Sequence, residues 1–207
     1  MSKIFYLMRH GQTRFNVQGR IQGACDSPLT ELGIEQAKSA HRYFEKENIA
    51  FTRVYSSTQE RACDTAELAS GSSDYIRLKG LKEWDFGSFE AHQEYLNPPL
   101  HREDGSGYRD YFVAYGGESN VQVYERMAVT IKDLMEDSSD EESLLLVSHG
   151  ASITQFYRHK TVNSPIPKKR LANCAIFKIS YDEGEMEVLS IYNPMDEEYI
   201  FERGIDD

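Results

Sequence analysis

A chain of 207 residues, 40% hydrophobic and 28% charged, has the composition of an ordinary globular protein and the length for one sizeable domain. Its formal net charge of −11 argues against nucleic acid or an anionic membrane as partner, since both want basic patches, yet a few local arginines can still grip a small anion. Cys25, Cys63 and Cys174 are dispersed and odd in number, as in a reduced cytoplasmic protein, and no apolar run approaches the length of a signal sequence or membrane span.

Ile4-Phe5-Tyr6-Leu7-Met8 is a continuous apolar run, the pattern of a strand buried on both faces, and it stops at Arg9-His10-Gly11. Thr30 is a candidate N-cap for a helix with Ile34, Ala37, His41 and Phe44 on one face. Val54-Tyr55-Ser56 reads as a second strand. A helix from about Thr58 follows, with Arg61 in its first turn and a small-residue face of Ala62, Thr65, Ala66 and Ala69. Residues 80–118 are irregular, rich in aromatics and punctuated by Gly and Pro. Ser119 and Gln122 make a capping-box pattern opening a helix to about Glu136, with Val121, Tyr124, Ala128, Ile131 and Met135 at helical spacing. Residues 143–147 form another buried strand, ending in Ser148-His149-Gly150. Two alternating strands, about 175–181 and 187–192, flank the hairpin signal Asp182-Glu183-Gly184-Glu185.

Strands alternating with helices predict a three-layer α/β/α sandwich with a mainly parallel sheet, an antiparallel edge and an inserted lid over about residues 84–118, all within one domain spanning 1–207. Ligands of such sheets sit beyond the carboxyl ends of the strands. Three strand ends deliver Arg9-His10, the approach to Arg61, and His149. Taken singly, each residue has an ordinary role in a turn, a cap or a solvated helix start. Together, two arginines and two histidines would repel one another without a compensating anion, and a phosphoryl group suits forked guanidinium donors.

The run Leu7-Met8-Arg9-His10-Gly11-Gln12-Thr13-Arg14-Phe15-Asn16, continuing through Gly19-Arg20-Ile21-Gln22-Gly23 to Pro28-Leu29-Thr30-Glu31-Leu32-Gly33, resembles the opening of the histidine phosphatase superfamily, the phosphoglycerate-mutase-like family. Later landmarks follow in order: Tyr55-Ser56-Ser57 with Arg61-Ala62 and Thr65-Ala66, Leu81-Lys82-Glu83, Gly116-Gly117-Glu118-Ser119, and Val147-Ser148-His149-Gly150. The resemblance spans roughly residues 3–155. It implies that His10 is the nucleophile that becomes phosphohistidine, that Arg9, Arg61 and His149 hold the transferred phosphoryl group, and that Glu83 is the proton donor and then acceptor. It further implies substrate contacts from Asn16, Gln22 and Gly150. A histidine nucleophile needs its second ring nitrogen fixed by a hydrogen bond, with a backbone carbonyl the expected partner. Glu83 adjoins Trp84 and Phe86, whose apolar rings would raise its pKa towards neutrality.

Rival chemistries fail on their letters. A cysteine phosphatase has Arg six residues after its Cys, but Cys25, Cys63 and Cys174 are followed at that offset by Glu31, Ala69 and Ser180. No Gly-rich phosphate loop ending in Gly-Lys-Ser or Gly-Lys-Thr occurs, nor a Gly-x-Ser-x-Gly elbow. His41, His92, His101 and His159 lack metal-ligand spacing, so neither metal nor other cofactor is expected. Phe15, where the family's mutases resemble a Trp before the Asn, and the run from Gly19 to Gly23 favour the family's small phosphatases acting on a phosphorylated metabolite. A phosphomutase or a turnover-dead phosphate-binding module are the alternatives. Tyr95, Tyr108, Tyr111, Phe112 and Tyr115 offer either an apolar wall for the substrate or an anchor for the insert. His101, Arg102 and Arg109 are candidate extra anion contacts. Phe89-Glu90-Ala91 departs from the family's aromatic-Glu-Gly.

Overall fold

The computed structural model describes residues 2–101, 104–162, 164 and 171–204. Seven strands form one sheet: β1 (Lys3–Arg9), β2 (Arg53–Ser56), β3 (Ile76–Arg77), β4 (Leu144–Ser148), β5 (Ile176–Asp182), β6 (Glu185–Asn193) and β7 (Glu198–Glu202). Their spatial order is β3-β2-β4-β1-β5-β6-β7. The first four run parallel, and the last three add antiparallel. The antiparallel edge is thus wider than the expected hairpin, because β7 pairs with β6 through Tyr192↔Tyr199 and Ile191↔Phe201. The β5–β6 turn places Glu183 at φ 47° and Gly184 at φ 93°, the left-handed pair that a two-residue hairpin needs.

Alternation along the central strands assigns the two faces. Phe5, Leu7, Leu144 and Leu146 face one core, packed against α4 (Asn120–Asp137) and α5 (Gly150–Lys160) through Met127, Ile131, Met135, Ile153 and Phe156. Tyr6, Met8, Leu145 and Val147 face the other, packed against α2 (Glu31–Lys46) and α3 (Glu60–Ser70) through Ala37, Ala40, Phe44, Ala62, Ala66 and Ala69. A short α1 (Arg14–Gln18) follows the first strand. The result is the three-layer sandwich expected from the sequence.

Two helix faces are rotated from expectation. In α2 the buried set is Gly33, Ala37, Ser39, Ala40 and Phe44, while Ile34 is 36% exposed. In α4 the buried stripe is Asn120, Val123, Met127, Ile131 and Met135, whereas Val121 is exposed. Both helices carry apolar residues on more than one face, so periodicity alone admits neighbouring stripes, and contact with the sheet selects one. Thr30 and Ser119 do cap these helices, Ser119 within a complete capping box with Gln122.

Among its described residues the insert holds three 3-10 turns, Gly87–Phe89, Glu94–Leu96 and Tyr111–Tyr115. Phe112, fully buried, meets Phe86, Phe89, Tyr108 and Tyr111 edge-on at 4.9–5.4 Å. Such edge-to-face rings hold their own small core with Trp84, Ile21 and Val123. Phe112 and Tyr108 anchor the insert, and Tyr95 is 81% exposed.

Candidate active site

The site lies where β1 and β4 end side by side. Arg9 pairs in register with Ser148, so the following residues, His10 and His149, emerge together with ring centroids 5.0 Å apart. Gly11 is required by a close approach: a Cβ there would stand 2.4 Å from the carbonyl oxygen of Gly33 at the start of α2. The Gly11 N–H donates to Thr65 Oγ1, which ties the loop to α3.

His10 is 4% exposed, and its Nδ1 lies 2.7 Å from the carbonyl oxygen of Gly11. A carbonyl only accepts, so Nδ1 carries the proton and Nε2 keeps the lone pair. Burial, then the charges of Arg61 and Arg9, hold His10 well below the ordinary histidine pKa and so keep it neutral. The carbonyl partner expected from the sequence is therefore that of the adjacent glycine. Cys174 N–H and Asn173 Nδ2 both donate to the His10 carbonyl, so the segment entering β5 braces the loop from the far side.

Arg61 is fully buried at the second position of α3 and does not wait for an outside anion. Its Nη1 donates to Asp26 Oδ1 at 2.8 Å and to the Cys25 carbonyl. Nη2 donates to the carbonyls of Gln22 and Gly23, and Nε donates to His149 Nδ1 at 3.2 Å. The compensating charge that the sequence demanded is supplied from within the chain, by Asp26. Because Arg61 donates to Nδ1, neutral His149 carries its proton on Nε2, which faces Ser57 Oγ at 2.7 Å. Ser57 in turn donates to Gln59 Oε1. Burial, then the charge of Arg61, push His149 well below the ordinary range.

Glu83 is 7% exposed and sits against the first turn of α5. Its carboxylate accepts from the backbone N–H groups of Trp84, Ala151 and Ser152 and from Ser152 Oγ, at 2.8–3.0 Å. A carboxylate is well placed there, where the helix leaves N–H donors unsatisfied and presents its positive end. Trp84 and Phe86, the apolar neighbours expected from the sequence, stack on each other within the insert. Arg126 of α4 secures the segment from behind, donating to the carbonyls of Gly80, Lys82 and Glu83 and gripping Glu118 through two nitrogens.

Arg9 Nη1 donates to the Leu171 carbonyl, and its guanidinium lies over Gly150, where an added Cβ would approach Arg9 Nε to 3.1 Å. Beside it opens a cleft of about 300 Å³ lined by Arg9, Gln12, Asn16, Glu94, Leu171, Ala172 and Asn173. Asn16 closes the capping box of α1 with Thr13. Gln22 accepts from Thr13 Oγ1 and supplies a carbonyl to Arg61. The structure thus gathers His10, Arg9, Arg61, Glu83, His149 and Gly150 around the strand ends, with Asn16 and Gln22 at the rim. It leaves the other basic candidates elsewhere: Arg109 pairs with Asp104, His101 bridges Gly107, and Arg102 is outside the described residues.

Sequence reasoning missed Asp26, Ser57, Gln59, Arg126 and the role of Glu90. Both oxygens of Glu90 accept backbone N–H groups, from Gly23, Ala24, Cys25 and Phe86, so this carboxylate fastens the loop that holds Arg61. Ser57 stood within a quoted landmark; Asp26 and Gln59 carried no such signal.

Residues 5–194 match the histidine phosphatase superfamily (branch 1). The chain belongs to this superfamily. It is 32% identical over 185 residues to a probable phosphoglycerate mutase, GpmB, of Proteus mirabilis, covering 85% of this chain and 84% of that one. In three dimensions this superfamily member is similar to a phosphoglycerate mutase from Bacillus anthracis, with a TM-score of 0.77 and 27% identity over 90% of this chain and 91% of that one. It is also similar to the phosphoserine phosphatase of Entamoeba histolytica solved with 3-phosphoglyceric acid, with a TM-score of 0.71 and 28% identity over 91% and 96% of the two chains. Superfamily members of both activities therefore share this fold.

Proposed function

We propose that this chain is a phosphatase that hydrolyses a small phosphate monoester through a phosphohistidine on His10. One observation carries the reading: a buried, neutral histidine whose Nδ1–H is bound to the Gly11 carbonyl, so that Nε2 is the nucleophile. The Nε2 lone pair attacks phosphorus, the bond to the ester oxygen breaks, and Glu83, entering the cycle protonated on Oε2, where only the Ala151 N–H approaches, delivers that proton to the ester oxygen. Water then attacks the phosphohistidine while the same carboxylate takes its proton, the N–P bond breaks and inorganic phosphate leaves. Arg9, Arg61 and His149 stabilise charge on the transferred group, with Arg61 exchanging one of its internal bonds for a phosphoryl oxygen. No metal enters this scheme. The free thiols agree with a cytoplasmic setting, and the partner is a phosphorylated metabolite.

The mutase reading draws on the Proteus mirabilis relative. It needs a second acidic group of the substrate to be held, yet among the described residues the cleft has Arg9 as its only cation, with Glu94 facing the same space.

A panel of phosphate esters assayed with EDTA, including 3-phosphoglycerate with and without its bisphosphate, tests the proposal. Phosphate release should fall at least a thousandfold in His10→Ala, and acid-labile phosphate should appear on the wild type alone. Full activity in His10→Ala overturns the mechanism. Isomerisation of 3-phosphoglycerate outpacing phosphate release moves the assignment to a mutase, and binding without any label moves it to a non-catalytic module.

A further inference from the structure

The cleft beside Arg9 carries charges of opposite sign. Arg9, the residue before His10, lines the cleft and is tied to its wall through the Leu171 carbonyl. Gln12, Asn16 and Asn173 contribute neutral amides. Glu94 contributes the one carboxylate among the described lining residues. Its position is built: the Glu94 N–H donates to the Gly19 carbonyl at 2.8 Å, Gln93 bridges Arg20, and Arg20 Nη1 donates to the Ala91 carbonyl. The turn Glu94–Leu96 is thereby pinned to the segment after α1 and does not float with the aromatic part of the insert. Among the described residues, no hydrogen bond or ion pair engages the Glu94 carboxylate, although the surface elsewhere pairs several of its acids with arginine or lysine.

We infer that Glu94 is a specificity residue, and that the preferred substrate is a phosphate monoester whose organic part ends in a cationic ammonium group. This rests on the phosphatase reading above. A phosphoryl group at the Arg9 side would leave the organic part of a small ester in this cleft of about 300 Å³, within reach of the lining that includes Glu94. An ammonium on that organic part gains a charge-assisted partner in Glu94, while a carboxylate beside it meets like charge. At separations of several ångströms in a partly solvated cleft, each such contact is worth on the order of tenfold in relative rate.

The test uses three esters of similar size and different charge: phosphoethanolamine, n-propyl phosphate and 3-(phosphonooxy)propionate. Ratios of kcat/KM among them are compared for wild type, Glu94→Gln and Glu94→Lys, so that any general loss common to the three esters cancels. Wild type should prefer phosphoethanolamine over the carboxylate ester by at least tenfold. Glu94→Gln should bring that ratio within about threefold of unity, and Glu94→Lys should invert it. A wild-type preference for the carboxylate ester, or ratios indifferent to both substitutions, overturns the inference. Should no ester release phosphate, the phosphatase reading falls. The charge order is then read from the affinities of the same esters for His10→Ala and for His10→Ala carrying Glu94→Lys. An unchanged order there overturns the role of Glu94 as well.

Discussion

The two halves of the site are built on opposite terms. On the inner side, the side-chain nitrogens of Arg61 and His149, and the Nδ1 of His10, already have partners within the chain: Asp26, loop carbonyls, Ser57 and the Gly11 carbonyl. In the outer cleft the turn bearing Glu94 is fastened by its backbone, yet its carboxylate has no partner among the described residues. The contrast follows from burial. A polar group cut off from water must be satisfied before a ligand arrives, or the fold loses stability. A group at a solvated rim carries no such requirement, and its chemistry can change without cost to the core. The reacting centre is therefore expected to be rigid and intolerant, and the cleft permissive.

Beyond loss of the nucleophile itself, the largest effect should come from Glu83→Gln. The amide places N–H protons where only donors converge, so kcat should fall by about a hundredfold to ten-thousandfold on alkyl phosphates. The fall should be much smaller on p-nitrophenyl phosphate, whose leaving oxygen needs no proton. Equal losses on both would reduce Glu83 to a helix cap.

Acid should strain the inner side next. His10 and His149 have folded-state pKa values depressed below the unfolded value, so the unfolded chain takes up protons near pH 6.5 that the folded protein refuses. Stability from these neutral rings is complete above that pH and drains as pH falls below it, by up to about 1.4 kcal/mol per unit for each histidine. Thermal melts from pH 7.5 to 5 should show this slope, and His10→Asn should remove one histidine's share of it. A slope that the variant leaves untouched would mean that His10 titrates normally.

Asp26→Asn breaks the internal counter-charge of a fully buried arginine. Asp26 is itself 29% exposed, so solvent screens the pair and the loss should be about 1–2 kcal/mol rather than that of a fully buried bridge. Added phosphate should then raise the melting temperature of the variant more than that of wild type, since an outside anion takes the vacated role. Equal shifts would show that phosphate does not reach Arg61.

The smallest effect sharpens the view of the rim. Ala91 holds φ 65°, the left-handed region that glycine enters freely, at the place where the family pattern puts Gly. Ala91→Gly should therefore stabilise by about 0.5–1 kcal/mol, seen as a rise of a few degrees in melting temperature. Destabilisation would mean that glycine's greater unfolded-state freedom outweighs the relieved strain.

The central strands were legible because an apolar run such as Ile4 to Met8 has few other homes than a sheet covered on both faces. The caps at Thr30 and Ser119 were legible because they act within one turn of chain. The buried stripes of α2 and α4 were misplaced by a fraction of a turn, since both helices offer more than one apolar face and only the sheet they meet chooses. β7 escaped notice because Glu198-Tyr199-Ile200-Phe201-Glu202 is short and becomes a strand by pairing with β6.

The sequence by itself set out His10, Arg61, Glu83 and His149 as candidates for one site, because the spacing and order of the landmarks survive without coordinates. Only the tertiary structure decided how two arginines and two histidines, which would otherwise repel, coexist beside a carboxylate. Asp26 reaches Arg61 across 35 residues, Glu83 caps a helix that begins 67 residues later, and the Gly11 carbonyl selects the His10 tautomer. Charge compensation and proton placement depend on distance in space and on the exclusion of water, and neither is written in the order of the residues.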